Sequence, residues 1–128
     1  MDFSYPKNSK LKSQKTIDSL FSEGKSVSKY PLRLVYAALE SSDEKLKFGV
    51  SVSKKHFKKA VDRNYFKRVL RECYRLNKHL LQENIEQSYA IMFFYQTSER
   101  LTYEAINEKT ILLFEKFTKT LNEENKTI

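Results

Sequence analysis

Residues 45–78 read KLKFGVSVSKKHFKKAVDRNYFKRVLRECYRLNK, and how this stretch is parsed decides the fold. From Leu46 to Ser53, Phe48, Val50 and Val52 alternate with Lys47, Gly49, Ser51 and Ser53, the period of a strand. A basic turn follows, and the period then changes. From a helix start near Val61 or Asp62, at about 100° per residue, Phe66, Val69, Leu70, Cys73, Leu76 and Leu80 share one side. Arg63, Asn64, Lys67, Arg68, Arg71, Arg75 and Lys78 share the other. The stretch therefore predicts a strand, a basic turn and an amphipathic helix with an apolar seam and a cationic stripe.

The charge is as one-sided as the hydrophobicity. Between Lys45 and Leu80 twelve lysines and arginines are opposed only by Asp62 and Glu72, a net +10 against +8 for the whole chain, so everything outside sums to −2. A solvated helix face usually interleaves Glu with Lys at i,i+4, because such pairs are mildly stabilising. Like charges on adjacent turns repel instead, and an anionic partner would relieve that repulsion. A patch of this density on a small domain points first to a polyanion, most simply nucleic acid.

Outward from the patch, residues 1–10 read as a polar arm. Leu11 to Glu23 predicts a helix, with Ser13 at its N-cap, Ile17, Leu20 and Phe21 on one face, and Gly24 at C′. Val27 to Leu39 reads as one extended segment with Pro31 near its start. Leu32, Leu34, Tyr36 and Ala38 point one way and Arg33, Val35, Ala37 and Leu39 the other. The short link 41–44 predicts that this strand and Leu46–Ser53 form an antiparallel hairpin. The small residues Gly49, Ser51 and Ser53 leave two readings of their face, a solvated side or a surface kept open for a nucleic-acid backbone. After the basic helix, Ser88 to Tyr95 (SYAIMFFY) is nearly continuous apolar sequence, which suits a central strand buried on both faces. Thr102 then caps a last helix to about Asn122. Its inward stripe is Tyr103, Ile106, Thr110, Leu113, Phe114, Phe117 and Leu121, and its tail should fray from Glu123. The order α-β-β-α-β-α predicts an α+β fold, a two-layer sandwich of a small sheet and covering helices. Residues 11–122 form the single domain.

Composition agrees. A chain of 128 residues suits one domain with a core of its own. No stretch approaches the roughly 20 apolar residues of a membrane span, and the N-terminus lacks the apolar segment of a secretory signal. Cys73, the only cysteine, reads as a small core residue in a reducing cytoplasm.

Enzyme chemistry is poorly supplied. The chain lacks zinc-spaced Cys/His sets, a Walker loop, a dinucleotide fingerprint and a nucleophile elbow. His56 and His79, the only histidines, would have to meet to serve as an acid/base pair, and nothing in the sequence places them together. No catalytic residue and no metal site is assigned to the chain. Binding chemistry is richer. Arginines on the stripe can hold phosphate bidentately, the helix start favours anions, and Phe21, Tyr36 and Tyr65 lie near the basic elements, where exposed rings would stack on bases.

GVSVSKK at 49–55 followed by AVDRNYFKRVLRE at 60–72 resembles the signature of the bacterial ribonuclease P protein subunit. LKSQKTIDSLFSEGKSVS, LRLVY, SYAIMFFY and LTYEAINEKTILLFEKF resemble the family's first helix and turn, first long strand, last strand and last helix, so the likeness covers about residues 11–121. The resemblance implies a mainly antiparallel sheet with a left-handed βαβ crossover through the basic helix, whereas the general rule for such connections is right-handed. It implies a partner, the catalytic ribonuclease P RNA, and a substrate, precursor tRNA, whose 5′ leader is removed by hydrolysis. Chemistry would reside on the RNA with Mg²⁺ held mainly by RNA and substrate, and no obligate protein partner or membrane is implied. Matched by position, Arg63, Asn64, Lys67, Arg68, Arg71 and Arg75 would contact the catalytic RNA. Phe21, Tyr36, Ser51, Lys54, Lys55 and Tyr65 would line the leader cleft. Three departures stand out: Tyr65 replaces a usual arginine, Ile17 a frequent Phe, and the segment 56–59 a shorter, Gly-containing turn. Competing readings are a ribosomal or RNA-assembly binding protein, a small nuclease using the histidines, and a duplex-DNA binder.

Overall fold

A computed structural model describes residues 17, 18, 20, 22, 24–39, 46–83 and 87–126. Ile17, Asp18, Leu20 and Ser22 are helical. Then follow β1 (Lys25–Lys29), β2 (Leu32–Ala38), β3 (Leu46–Val52), the basic helix (Ala60–Gln82), β4 (Tyr89–Tyr95) and the C-terminal helix (Tyr103–Lys126). The N-terminal arm, Ser13, Phe21 and the link 41–44 lie outside the described residues.

The sheet order is β1-β2-β4-β3. β1–β2 and β2–β4 are antiparallel, and β3–β4 is parallel. The sheet is thus mixed and mainly antiparallel, and the basic helix makes the crossover between parallel neighbours, a link too long for a hairpin. The fold is α+β, as expected, but two connections differ from the sequence reading. First, the segment 27–39 is two strands. Pro31 cannot donate to a continuous ladder, and residues 30 and 31 turn the chain so that Lys29 pairs with Leu32. Second, β2 and β3 do not form a hairpin, because β4 lies between them. β4 buries six of its seven residues, which requires neighbours at both edges and cover on both faces. β3, with half-exposed Gly49, Val50 and Ser51, tolerates the edge.

One face of the sheet carries the main core. Leu34, Tyr36, Phe48, Val52, Ile91, Phe93 and Tyr95 pack with Phe66, Leu70, Cys73 and Tyr74 of the basic helix and Leu113, Phe114, Phe117 and Leu121 of the C-terminal helix. Rings interlock across the layers: Phe48 stacks on Tyr74 with centroids 3.6 Å apart, and Phe66 stacks on Tyr95 at 4.7 Å. On the other face Leu20 packs with Val35, Ala90 and Met92, and Ile17, Ala37, Leu39 and Phe94 flank them. Gly24 is the hinge between the helical residues and β1. It lacks the positive φ expected of a C′ glycine. Its N–H instead continues the helical bonding to Leu20 O at 3.0 Å. A Cβ there would lie 2.2 Å from Leu20 O and 2.9 Å from Val35 Cγ1, so close approach, not backbone handedness, requires glycine.

The last helix starts where the sequence places it. Thr102 Oγ1 accepts the Ala105 N–H at 3.2 Å, an N-cap contact. It ends later than expected. Helix continues to Lys126, and Glu124 accepts hydrogen bonds from Tyr36 Oη at 3.2 Å and Lys25 Nζ at 3.4 Å, which tie this residue to the sheet. Among the described residues no helix is long and apolar enough to cross a membrane.

Candidate nucleic-acid interface

The first half of the basic helix presents its polar side outward. Asn64, Tyr65, Arg68 and Arg71 are exposed, and Asp62, Arg63, Lys67 and Arg75 are half-exposed. The seam predicted from the periodicity is buried at Phe66, Val69, Leu70 and Cys73, while Leu76 and Leu80 are only partly covered. Both acids that interrupt the stripe are taken by arginines. Asp62 Oδ1 accepts from Arg100 Nη1 at 3.0 Å, and Glu72 is hydrogen-bonded by Arg75. That bond, with the Arg75 charge, holds the Glu72 carboxyl below the ordinary carboxylate range, against the opposing effect of burial. Arg75 is therefore already engaged, and the least committed cations on the helix are Lys67, Arg68 and Arg71.

Two members of the sequence-read stripe behave differently. Lys78 is only 3 % exposed. Neighbouring Asn77 is buried as well, its Nδ2 donating to Cys73 O at 2.8 Å and Asn107 Oδ1 at 2.7 Å. Asn107 of the C-terminal helix thus meets this end on the seam side, and Lys78, on the polar side of the wheel, is withdrawn from solvent. Arg63 points back into its own protein: Nη1 donates to Phe57 O at 3.0 Å and Lys58 O at 2.7 Å. Its guanidinium clamps the turn that carries Lys54, Lys55, Lys58 and Lys59, all exposed. Phe57 anchors the same turn from inside, stacked on Phe66 at 4.7 Å, and Ser53 O accepts the N–H groups of His56 and Phe57 at 3.2 Å. An aromatic plug and an arginine clamp thus shape the turn in which the family pattern has a glycine.

Tyr65 is 40 % exposed. It meets Phe66 edge-on at 5.0 Å, and the Arg68 guanidinium carbon lies 5.8 Å from its ring centroid, within cation–π range. The ring standing in the usual arginine position thus organises its neighbour Arg68, on the helix stripe.

Of the residues assigned to the leader cleft, Ser51 lies on the outer sheet face, half-buried, in a cross-strand row with Phe94, Arg33 and Ser28. Lys54 and Lys55 follow at the end of the same strand. Phe21 lies outside the described residues. Tyr36 does not join this group. It faces the helices and is 4 % exposed, with its ring edge-on to Phe117 at 4.7 Å and Tyr89 at 6.0 Å. Burial, then the Glu124 charge and hydrogen bond, push its phenol up to about 12. A strand presents alternate residues to opposite faces, and the β2 residue on the outer face beside Leu20 is Val35. The half-exposed ring on that face is Phe94, which sequence reading missed because β4 looked buried throughout. Its place in the alternation after Phe93 is the signal that marks it.

The histidines are separated by the helix itself. His56 sits in the turn before it and His79 in its last turn. At about 1.5 Å per residue, roughly 30 Å lies between them, which removes the acid/base pair and with it the histidine nuclease.

An α+β domain with one cationic helix face, its acids internally neutralised, offers the kind of surface that suits a nucleic acid. Comparison with known proteins gives the family. The ribonuclease P family model matches residues 5–118, and the chain belongs to that family. It is similar to the ribonuclease P protein component of Porphyromonas gingivalis, 39% identical over 119 residues covering 86% of this chain and 85% of that one. It is also similar to that of Dictyoglomus thermophilum, 34% identical over 114 residues covering 89% and 92%. Among solved structures, the ribonuclease P protein of Staphylococcus aureus shares the fold with TM-score 0.70 at 22% identity, covering 85% of this chain and 94% of that one. That of Thermotoga maritima does so with TM-score 0.68 at 24% identity, covering 84% and 96%.

Proposed function

We propose that this chain binds the catalytic RNA of ribonuclease P through its basic helix and turn. In the complex it holds the 5′ leader of precursor tRNA on the outer sheet face and so assists hydrolytic removal of that leader. The observation that carries the reading is the cationic stripe whose two acids, Asp62 and Glu72, are each occupied by an arginine. A stripe with its acids spent inside the protein keeps its net charge for an external anion.

Each part of the surface has a separable task. Lys67, Arg68 and Arg71 offer charge-assisted donors to phosphates along one line of the helix. Arg63 acts through the turn, holding Lys54, Lys55, Lys58 and Lys59 at one end of that line. Ser51, Arg33 and Phe94 offer a hydroxyl, a guanidinium and a ring edge to a single strand lying across the sheet. Mg²⁺, where bound, would activate water for phosphodiester hydrolysis. The donors on this surface are cations, which repel a metal ion, and the described residues contain no cluster of three His, Cys, Asp or Glu side chains. The reading therefore assigns Mg²⁺ to phosphates of the RNA partner and substrate, in the cytoplasm where precursor tRNA is made.

The test is reconstitution. Purified protein is mixed with cognate ribonuclease P RNA at low Mg²⁺, and cleavage of a precursor tRNA labelled in its leader is followed. Cleavage that requires both components supports the reading. Cleavage by protein alone overturns the assignment of chemistry to RNA. Tight RNA binding without stimulation makes the chain an RNA-assembly protein instead.

A further inference from the structure

The pole of the sheet where β4 ends and β2 begins brings together three segments far apart in the sequence: the turn at residues 29–31, the loop 96–101 and the first turn of the basic helix. The joints are specific. Gln96 N–H donates to Pro31 O at 2.8 Å. Tyr95 Oη donates to Glu99 O at 2.5 Å and accepts the Leu101 N–H at 3.2 Å. Arg100 reaches from this loop to Asp62, and its guanidinium carbon lies 5.4 Å from the Phe66 ring centroid. Burial raises the Tyr95 phenol above its ordinary range. The Gln96–Pro31 bond and the Tyr95–Leu101 bond thus tie the turn that carries Tyr30 and the loop that carries Arg100 to the end of β4.

Several side chains at this pole remain in solvent, Tyr30 and Arg100 among them. Tyr30 is 71 % exposed, and the Arg100 side chain is 58 % exposed despite its ion pair. The Tyr30 ring adds nothing to the core, and exposed Lys29 precedes it. Asp62 and Phe66 hold Arg100 beside the start of the cationic stripe, as its continuation from a loop outside the basic window.

We propose that Tyr30 and Arg100 form a second contact for the catalytic RNA, the ring stacking on an unpaired base and the guanidinium holding a neighbouring phosphate. The inference rests on the reading that the stripe binds that RNA. It extends the surface around the helix start, where Arg100 is bonded to the stripe's own Asp62. The catalytic RNA, not the leader, is the source of this nucleotide, since the leader is assigned to the outer sheet face.

The test is equilibrium binding of the full chain to cognate ribonuclease P RNA between 50 and 200 mM salt, conditions under which phosphate contacts are resolved. Tyr30→Ala should weaken binding about fivefold to a hundredfold, the range of one lost base–aromatic stack, with the salt slope unchanged. Tyr30→Phe should bind as wild type, because it keeps the ring. Arg100→Gln should weaken binding and reduce the salt slope by about one. Thermal midpoints of both Tyr30 variants should match wild type, so the clean arm does not depend on Arg100, whose removal also frees Asp62. Wild-type affinity for Tyr30→Ala overturns the inference, and so does a loss confined to precursor tRNA binding by the assembled complex. If Arg68→Ala weakens RNA binding in the same assay, the partner reading survives that failure. If Arg68→Ala is also inert and reconstitution fails, the reading itself falls.

Discussion

The basic helix has two halves with nearly the same pattern and different fates. From Asp62 to Glu72 the polar side faces out, and Lys67, Arg68 and Arg71 line up along it while Arg63 turns back to clamp the preceding turn. From Cys73 to Gln82 the wheel position of Lys67 and Arg71 recurs at Lys78, which is buried, while Asn77, on the seam side with Phe66 and Leu70, meets Asn107 of the C-terminal helix. A helical wheel assigns a residue to a direction, and a neighbouring element decides whether that direction is water. The first half therefore presents a cationic surface, and the second withdraws Asn77 and Lys78 from solvent.

The comparison can be broken by substitution. The largest effect expected is on Phe66, which belongs to the interface half but points inward between Phe57 and Tyr95. Phe66→Ala should cost about 3–5 kcal/mol of unfolding free energy in denaturant titration. A loss below about 1 kcal/mol would mean the aromatic stack is not part of the core. Next, Asn77→Ala should cost about 1–3 kcal/mol, since it strands the Asn107 carbonyl and removes a bond to Cys73 O. Affinity for the catalytic RNA and its salt slope should stay as in wild type.

Arg68→Ala should show the opposite profile. Stability should change by less than about 0.5 kcal/mol, as for an exposed residue, while RNA affinity falls and the salt slope drops by about one. An equal loss of stability and affinity in both variants would erase the distinction between the halves. Arg63→Ala sharpens the same point, because a clamp acts through what it holds. Amide exchange at residues 56–59 should speed up, and RNA affinity should fall with it. Normal exchange alongside weakened binding would make Arg63 a direct phosphate contact instead.

The smallest effect concerns the far end of the sheet and is visible only in alkali. The Tyr36 phenol is pushed up to about 12 in the folded protein by burial and by Glu124, against about 10 when unfolded. Below pH 10 both states keep the proton, and the bond to Glu124 contributes in full. Above it the unfolded chain ionises first, so this stability is lost as pH rises towards 12. Wild type should therefore lose stability more steeply than Tyr36→Phe between about pH 10 and 12. Identical slopes would show that the phenol is not held neutral by this site.

How much was legible follows from the range over which each feature is decided. Both long helices, the Thr102 cap and the central place of β4 could be read directly, because periodicity and capping are properties of neighbouring residues. The family signature and the cationic stripe were legible for the same reason, since both lie within one strand, turn and helix. The face of Tyr36 was legible too: alternation put it with Leu32 and Leu34, and only positional likeness moved it to the cleft.

What the sequence by itself determined, then, is the kind of each element, the side each residue takes on it, and the sign of the surface it offers. Strand neighbours, the insertion of β4 between β2 and β3, the burial of Lys78, the inward turn of Arg63 and the arrival of Arg100 at Asp62 were decided only in the tertiary structure. These are contacts between segments remote in the chain. Each is chosen because the whole arrangement buries the most apolar surface while leaving its polar groups paired, a condition no local window contains.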